Sequence, residues 1–143
     1  MNPGPHFPEP LNTPEDAHTR VRKVVDVTKE LGYVFEALTL TRKELKGEVP
    51  LIGFSGAPWT LFAYMIEGGG SKTLQKSKSW LFMHPSESKD LIHRIAEVCA
   101  EFLIGQVKAG AQVWARLRFS RLVWLMARVP PLSAPSSFRL LGR

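Results

Sequence analysis

One stretch limits the folds open to this chain more than any other. It runs from Val49 through Gly53-Phe54-Ser55-Gly56-Ala57-Pro58-Trp59-Thr60-Leu61 to Tyr64-Met65-Ile66-Glu67-Gly68-Gly69-Gly70-Ser71. Val49–Phe54 is a short apolar run suited to a buried strand. Ser55, Gly56 and Pro58 turn the chain, and proline is tolerated at the first helical position because that N–H needs no partner. Helical spacing then carries Leu61, Tyr64 and Met65 along one side. Gly68–Gly70 end the helix, since glycine enters the left-handed region without steric cost. Strand, tight turn and helix form the unit on which α/β folds place their chemistry.

The flanking sequence extends the pattern. Pro3, Pro5, Pro8, Pro10 and Pro14 make residues 1–14 an extended lead-in. Thr13-Pro14-Glu15-Asp16 reads as a helix start, with a hydroxyl cap, proline at the first position and acids in the first turn. Val24, Val27, Leu31, Val34, Phe35, Leu38 and Leu45 recur at helical spacings, which predicts an amphipathic helix packed on a sheet, with room for a break near Gly32 and an end at Gly47. Thr73–Met83 is expected to be helical. His84-Pro85-Ser86-Glu87 interrupts it and starts another helix, whose stripe is Leu91, Ile92, Ile95, Val98, Cys99, Phe102, Leu103 and Gln106, with Gly110 as its cap. Val113, Ala115, Leu117 and Phe119 alternate with polar or bulky residues as in a half-buried strand. This order fits part of a β/α repeat with a parallel sheet.

Charge divides the chain in two. All thirteen acids lie before residue 113, where they balance thirteen lysines and arginines. The excess of +6 comes wholly from Arg116, Arg118, Arg121, Arg128, Arg139 and Arg143. A nucleic-acid argument from basic charge therefore concerns the last segment alone. Cys99 is the only cysteine, so no internal disulfide can form. No apolar run approaches the roughly 20 residues of a membrane span, and the first residues do not have the pattern of a secretory signal.

The Gly53–Ser71 stretch resembles the uroporphyrinogen decarboxylase family. So do Gly4-Pro5-His6-Phe7-Pro8-Glu9-Pro10-Leu11, Glu30–Arg42 and Gly105-Gln106-Val107-Lys108-Ala109-Gly110-Ala111-Gln112. The likeness covers about residues 4–112. It implies an α/β fold in which the chain is a partial (β/α)8 TIM barrel. Residues 1–112 would be the partial barrel domain, and 113–143 a divergent, arginine-rich, poorly ordered tail resembling translation of unrelated sequence. It also implies a cytosolic carboxy-lyase of haem biosynthesis. Such an enzyme removes the four acetate carboxyl groups of uroporphyrinogen to give coproporphyrinogen. Protonating the pyrrole makes the ring an electron sink, so neither a metal nor an organic cofactor is implied, and the protein contributes placement and electrostatics. The expected partners are the tetrapyrrole substrate and a second subunit in a homodimer, with no nucleic acid and no membrane.

In the family an aspartate holds the pyrrole N–H groups, and an arginine, a tyrosine, a serine and a histidine complete the pocket. Of these, the tyrosine alone is matched, at Tyr64, whose hydroxyl would bond a substrate carboxylate or the pocket aspartate. The serine's place falls near Phe119, beside Ser120. The arginine-bearing Pro-x-Trp-x-Met-Arg-Gln-Ala-Gly-Arg segment and the aspartate strand have no counterpart in these 143 residues. A barrel of this kind takes about 250 residues, so the chain is expected to be inactive alone. The alternative is a non-catalytic partner that binds or interferes with the full-length enzyme. Related barrels that act in methyl transfer are a further comparison, and the Glu67–Ser71 run favours the decarboxylase.

Other motifs carry less. Gly68-Gly69-Gly70-Ser71-Lys72-Thr73 hints at a phosphate loop, but glycine is missing where Ile66 and Ser71 stand. His6, His18, His84 and His93 are too scattered for a metal site. Cys99 and Trp59 read as packing residues. In the tail, Trp114, Leu122, Val123, Trp124, Leu125 and Met126 interleave with arginines as in surface-bound helices, but the two faces mix on a helical wheel.

Overall fold

The computed structural model describes residues 6–116; the expectations placed on 117–143 lie outside the described residues. The elements are α1 (Pro14–Arg20), α2 (Val27–Glu44), β1 (Ile52–Ser55), α3 (Pro58–Glu67), α4 (Gln75–Met83), α5 (Pro85–Lys108) and β2 (Val113–Arg116).

The first helix starts where its cap predicts. Thr13 Oγ1 accepts the Asp16 N–H at 3.3 Å, and the Asp16 carboxylate accepts the N–H groups of Asn12 and Thr13 at 2.9 and 2.8 Å. The helical stripe expected to start at Val24 starts only at Val27. Val24 is 87% exposed, and a fresh cap at Asp26 accepts the Lys29 N–H at 3.0 Å and starts α2. Near Gly32 the helix kinks, with Leu31 at φ −120°, ψ 15°. Nor does α2 lie on the sheet as expected. It packs on α5, and Val27 is its one buried residue.

β1 and β2 pair in parallel, Ile52 with Val113 through Ser55 with Arg116. The strand expected over 113–119 is thus present in its first four residues, which join the sheet. The Gln112 N–H donates to the Leu51 carbonyl at 2.8 Å. Backbone groups alternate sides along a strand, so Leu51, Gly53 and Ser55 address β2, and Ile52 and Phe54 address the opposite edge. Gly53 is buried against Gln106 and Ala111. Ile52 and Phe54 are 54% and 51% exposed. The buried strand predicted from Val49–Phe54 is therefore buried on one face only, because α5 covers one side and no described element covers the other.

The core lies off the sheet, among α1, α3, α4 and α5. Phe62 and Leu91 are fully buried, and Trp59, Ile66, Trp80, Ile95 and Cys99 close around them with Leu11 and Ala17. Trp59 stacks on Phe62 at 5.4 Å, and Trp80 meets Phe62 edge-on at 6.3 Å. The lead-in docks on α3. The N–H groups of Leu11 and Phe7 donate to the carbonyls of Met65 and Gly68, both at 2.8 Å. They satisfy acceptors that a helix C-terminus leaves without intrahelical partners.

Candidate functional site

The turn at the C-terminal end of β1 is built from three elements. The Ser55 hydroxyl donates to the Gly56 carbonyl at 3.2 Å, and the Cys99 thiol of α5 donates to the same oxygen at 3.6 Å. Burial pushes the Cys99 thiol up, which keeps it a neutral donor. Gly56 lies close to α3, where a Cβ would sit 3.0 Å from Leu61 Cδ2. Pro58 then begins α3 without a side-chain cap.

Tyr64 lies six residues along that helix from Pro58, roughly 9 Å at the helical rise. The face of α3 that enters the core is Trp59, Phe62, Ala63 and Ile66. Leu61, Tyr64 and Met65, grouped from the sequence as one side, are half-buried on the remaining surface. Tyr64 is thus not a core aromatic, and no protein group among the described residues bonds its hydroxyl. Leu61 and Met65 face a groove of about 510 Å³ shared with Ile95, Val98 and Cys99. Tyr64 does not line it. Three of the groove's four basic residues are paired: Arg20 with Glu9 at 3.2 Å, Arg22 with Glu30 at 2.7 Å and Arg94 with Asp90 at 3.1 Å, and Lys23 is the fourth.

The glycine run has a structural explanation in part. Gly68 caps α3 at φ +83°, the left-handed region. Glu67 reaches across the loop, its Oε1 accepting both the N–H and the hydroxyl of Ser77 at 3.0 and 3.1 Å, with Ser77 fully buried. Ser71 Oγ accepts the Leu74 N–H at 3.0 Å. Leu74 sits at φ +50° and starts α4. The run follows a helix, whereas a phosphate loop follows a strand. Cys99 and Trp59 are buried, as read from the sequence. His93 meets Glu97 within α5 at 3.3 Å, and His84 packs edge-on against Trp80. Among the described residues no three of His, Cys, Asp and Glu gather as metal ligands. None of the described helices is long and apolar enough to cross a membrane.

Sequence reasoning missed the buried polar residues Ser77, Ser88 and Gln106. Gln106, 3% exposed, was counted with the apolar stripe of α5. Its Oε1 accepts the Phe54 N–H at 2.7 Å and its Nε2 donates to the Phe54 carbonyl at 2.8 Å. The one signal available was a glutamine at a core-facing position, which must find partners when buried.

Comparison with known proteins fits this strand–turn–helix unit into a wider likeness. A family model described as uroporphyrinogen decarboxylase matches residues 1–117. A protein of that name from Dictyostelium discoideum is 61% identical over 109 residues, covering 76% of this chain and 30% of its own length. The namesakes from Danio rerio and Homo sapiens are 59% and 53% identical over 109 residues, which is 76% of this chain and 29% of each relative. The chain thus spans about 30% of the length of the curated relatives it matches.

Proposed function

Since the chain belongs to the uroporphyrinogen decarboxylase family, we propose that residues 1–112 are a section of a (β/α)8 barrel that forms one wall of a pocket for uroporphyrinogen. The arginine-rich 113–143 is then a divergent C-terminal segment whose first four residues, β2, still pair in the sheet. The parallel β1–β2 pair with α3, α4 and α5 between its strands supports this reading, because parallel strands joined through helices are the barrel's repeating unit. The exposed Ile52–Phe54 face of β1 supports it too, since barrel strands turn one face inward to the other strands.

In this reading the chain supplies Tyr64 to the chemistry. The reaction protonates a pyrrole carbon, and the ring accepts the electron pair released as the acetate carboxylate leaves as carbon dioxide. A proton then completes the methyl group and the ring carbon gives up the proton it took, so the pyrrole is restored and one proton is consumed for each carbon dioxide released. A phenol hydroxyl with no protein partner among the described residues can donate to a substrate carboxylate or to a neighbouring carboxylate of the pocket. The observation that carries the proposal is that Tyr64 lies off the core, on the helix launched from the C-terminal end of β1, which is the end where barrel enzymes build their sites.

The test is a chimaera in which residues 6–112 replace the matching segment of the Dictyostelium relative. It should convert uroporphyrinogen to coproporphyrinogen, and Tyr64→Phe should slow it roughly tenfold to a hundredfold, the worth of one polar contact. The 143-residue chain assayed alone should show no turnover. A chimaera that folds, by circular dichroism and a cooperative melt, but has no activity would refute the reading. So would full activity in the Phe variant, or in the isolated chain.

A further inference from the structure

Strand edges carry unpaired N–H and C=O groups that invite another strand, and proteins blunt them in identifiable ways. Among the described residues the sheet has two strands, so β1 has an edge facing away from β2. Ile52 and Phe54 direct their backbone groups to that edge. At Phe54 both groups are already taken, one by each end of the Gln106 amide. A glutamine amide carries one acceptor and donors in the same arrangement as a peptide group, so Gln106 stands in for the missing neighbour at that register position. Gly53 makes this fit. A Cβ there would sit 3.1 Å from Gln106 Oε1 and 3.2 Å from Ala111 Cβ, where the amide rises past the strand.

We infer that Gln106 is an edge guard: its amide holds the pairing groups of Phe54 and keeps β1 from adding a foreign strand. An incoming strand must first displace the amide, leaving a polar group that is 3% exposed without partners. Leu51 and Gly53 already pair toward β2, so the guarded edge is the side from which a further strand can approach β1. In a closed barrel a neighbouring strand arrives at this edge, and Gln106 releases Phe54 to it. The inference concerns the chain as it stands and does not depend on decarboxylation.

The test reads Phe54 amide exchange and sedimentation over a hundredfold range of protein concentration, in the full chain and in Gln106→Leu, which keeps the shape and loses the amide. In the wild-type chain, Phe54 protection should not change with concentration. In the variant it should be lower when dilute and climb roughly tenfold on concentration as strands pair, with a matching rise in mass. Gly53→Ala, which pushes the amide aside and leaves its polarity intact, should behave like the variant, and it serves if Gln106→Leu does not fold. Two results would overturn the inference. One is wild-type protection at Phe54 that climbs with concentration as steeply as the variant's. The other is a folded variant whose Phe54 exchange and mass match the wild type throughout.

Discussion

A missing side chain at position 105 sets how closely α2 and α5 approach. A Cβ on Gly105 would come under 3.0 Å from three carbons of the Phe35 ring, which packs there beside Phe102 at 5.8 Å. Two terms oppose each other in Gly105→Ala. Alanine favours a helix over glycine by about 1 kcal/mol, and overpacking costs about 1–3 kcal/mol. The overlap is with the tip of the ring, its Cζ and both Cε carbons, which must swing off Phe102 to clear the new methyl, so the second term wins and the variant should be destabilised by about 1–2 kcal/mol in denaturant melts. Replacing Phe35 by Leu first should reverse the sign, making Gly105→Ala neutral or stabilising by about 0.5–1 kcal/mol. A loss of the same size in both backgrounds would mean that the ring is not the obstacle. Gln106, one residue on, faces the strand and does opposite work: there a polar group is buried with both its ends satisfied.

Elements begin and end largely where local chemistry says, and α1 is the clearest case. Its capping box joins Thr13 and Asp16 in both directions. Thr13→Ala should cost about 1 kcal/mol at neutral pH, read in a thermal melt. The hydrogen bonds from the Thr13 and Asn12 N–H groups hold the Asp16 carboxyl below its ordinary value. A depressed carboxyl contributes stability that is present above the unfolded value, near pH 3.9, and is lost as pH falls through the lower folded one. Acidification below about pH 4 should therefore lower the exchange protection of Asn12 and Thr13, measured against the intrinsic rate at each pH, and Asp16→Asn should remove that loss of protection. The caps at Thr13, Asp26 and Gly68 were open to reading because each rests on neighbours in sequence, although Asp26 was passed over in favour of the apolar stripe of α2. The face of α3 was not. Leu61, Tyr64 and Met65 satisfy helical spacing as well as Trp59, Phe62 and Ile66 do, and contacts with Trp80 and Leu91, distant in sequence, decide between the two sets. The candidate tyrosine was legible through family likeness alone, since nothing local distinguishes it from a packing aromatic. The Gln106 bonds join positions 52 residues apart, and spacing within one helix cannot reveal them.

Across the whole molecule, stability is unevenly spread, and that unevenness follows the likeness to a longer enzyme. The packed core belongs to α3, α4, α5 and α1. By contrast, the 18-residue α2 buries Val27 alone and leaves Tyr33 and Leu40 68% and 61% exposed. A groove of about 840 Å³ runs between it and α5, lined by Phe35, Leu40 and Ile104. Helix length alone stabilises little in water, because most helical stability comes from packing one face. Local opening free energies track buried contacts, so amides of α2 should exchange by local unfolding, roughly a hundredfold faster than those around Phe62, Leu91 and Ile95. Native-state exchange in the 143-residue chain measures this directly, and a single shared rate for α2 and α5 would show that the two unfold as one unit. Placed in the chimaera with the Dictyostelium relative, the same α2 amides should slow toward the rate of α5, since the added strands and helices would bear on the bare face of β1 and on the helices packed around it. If α2 exchanges as fast there as in the isolated chain, its apolar stripe has no partner in the barrel.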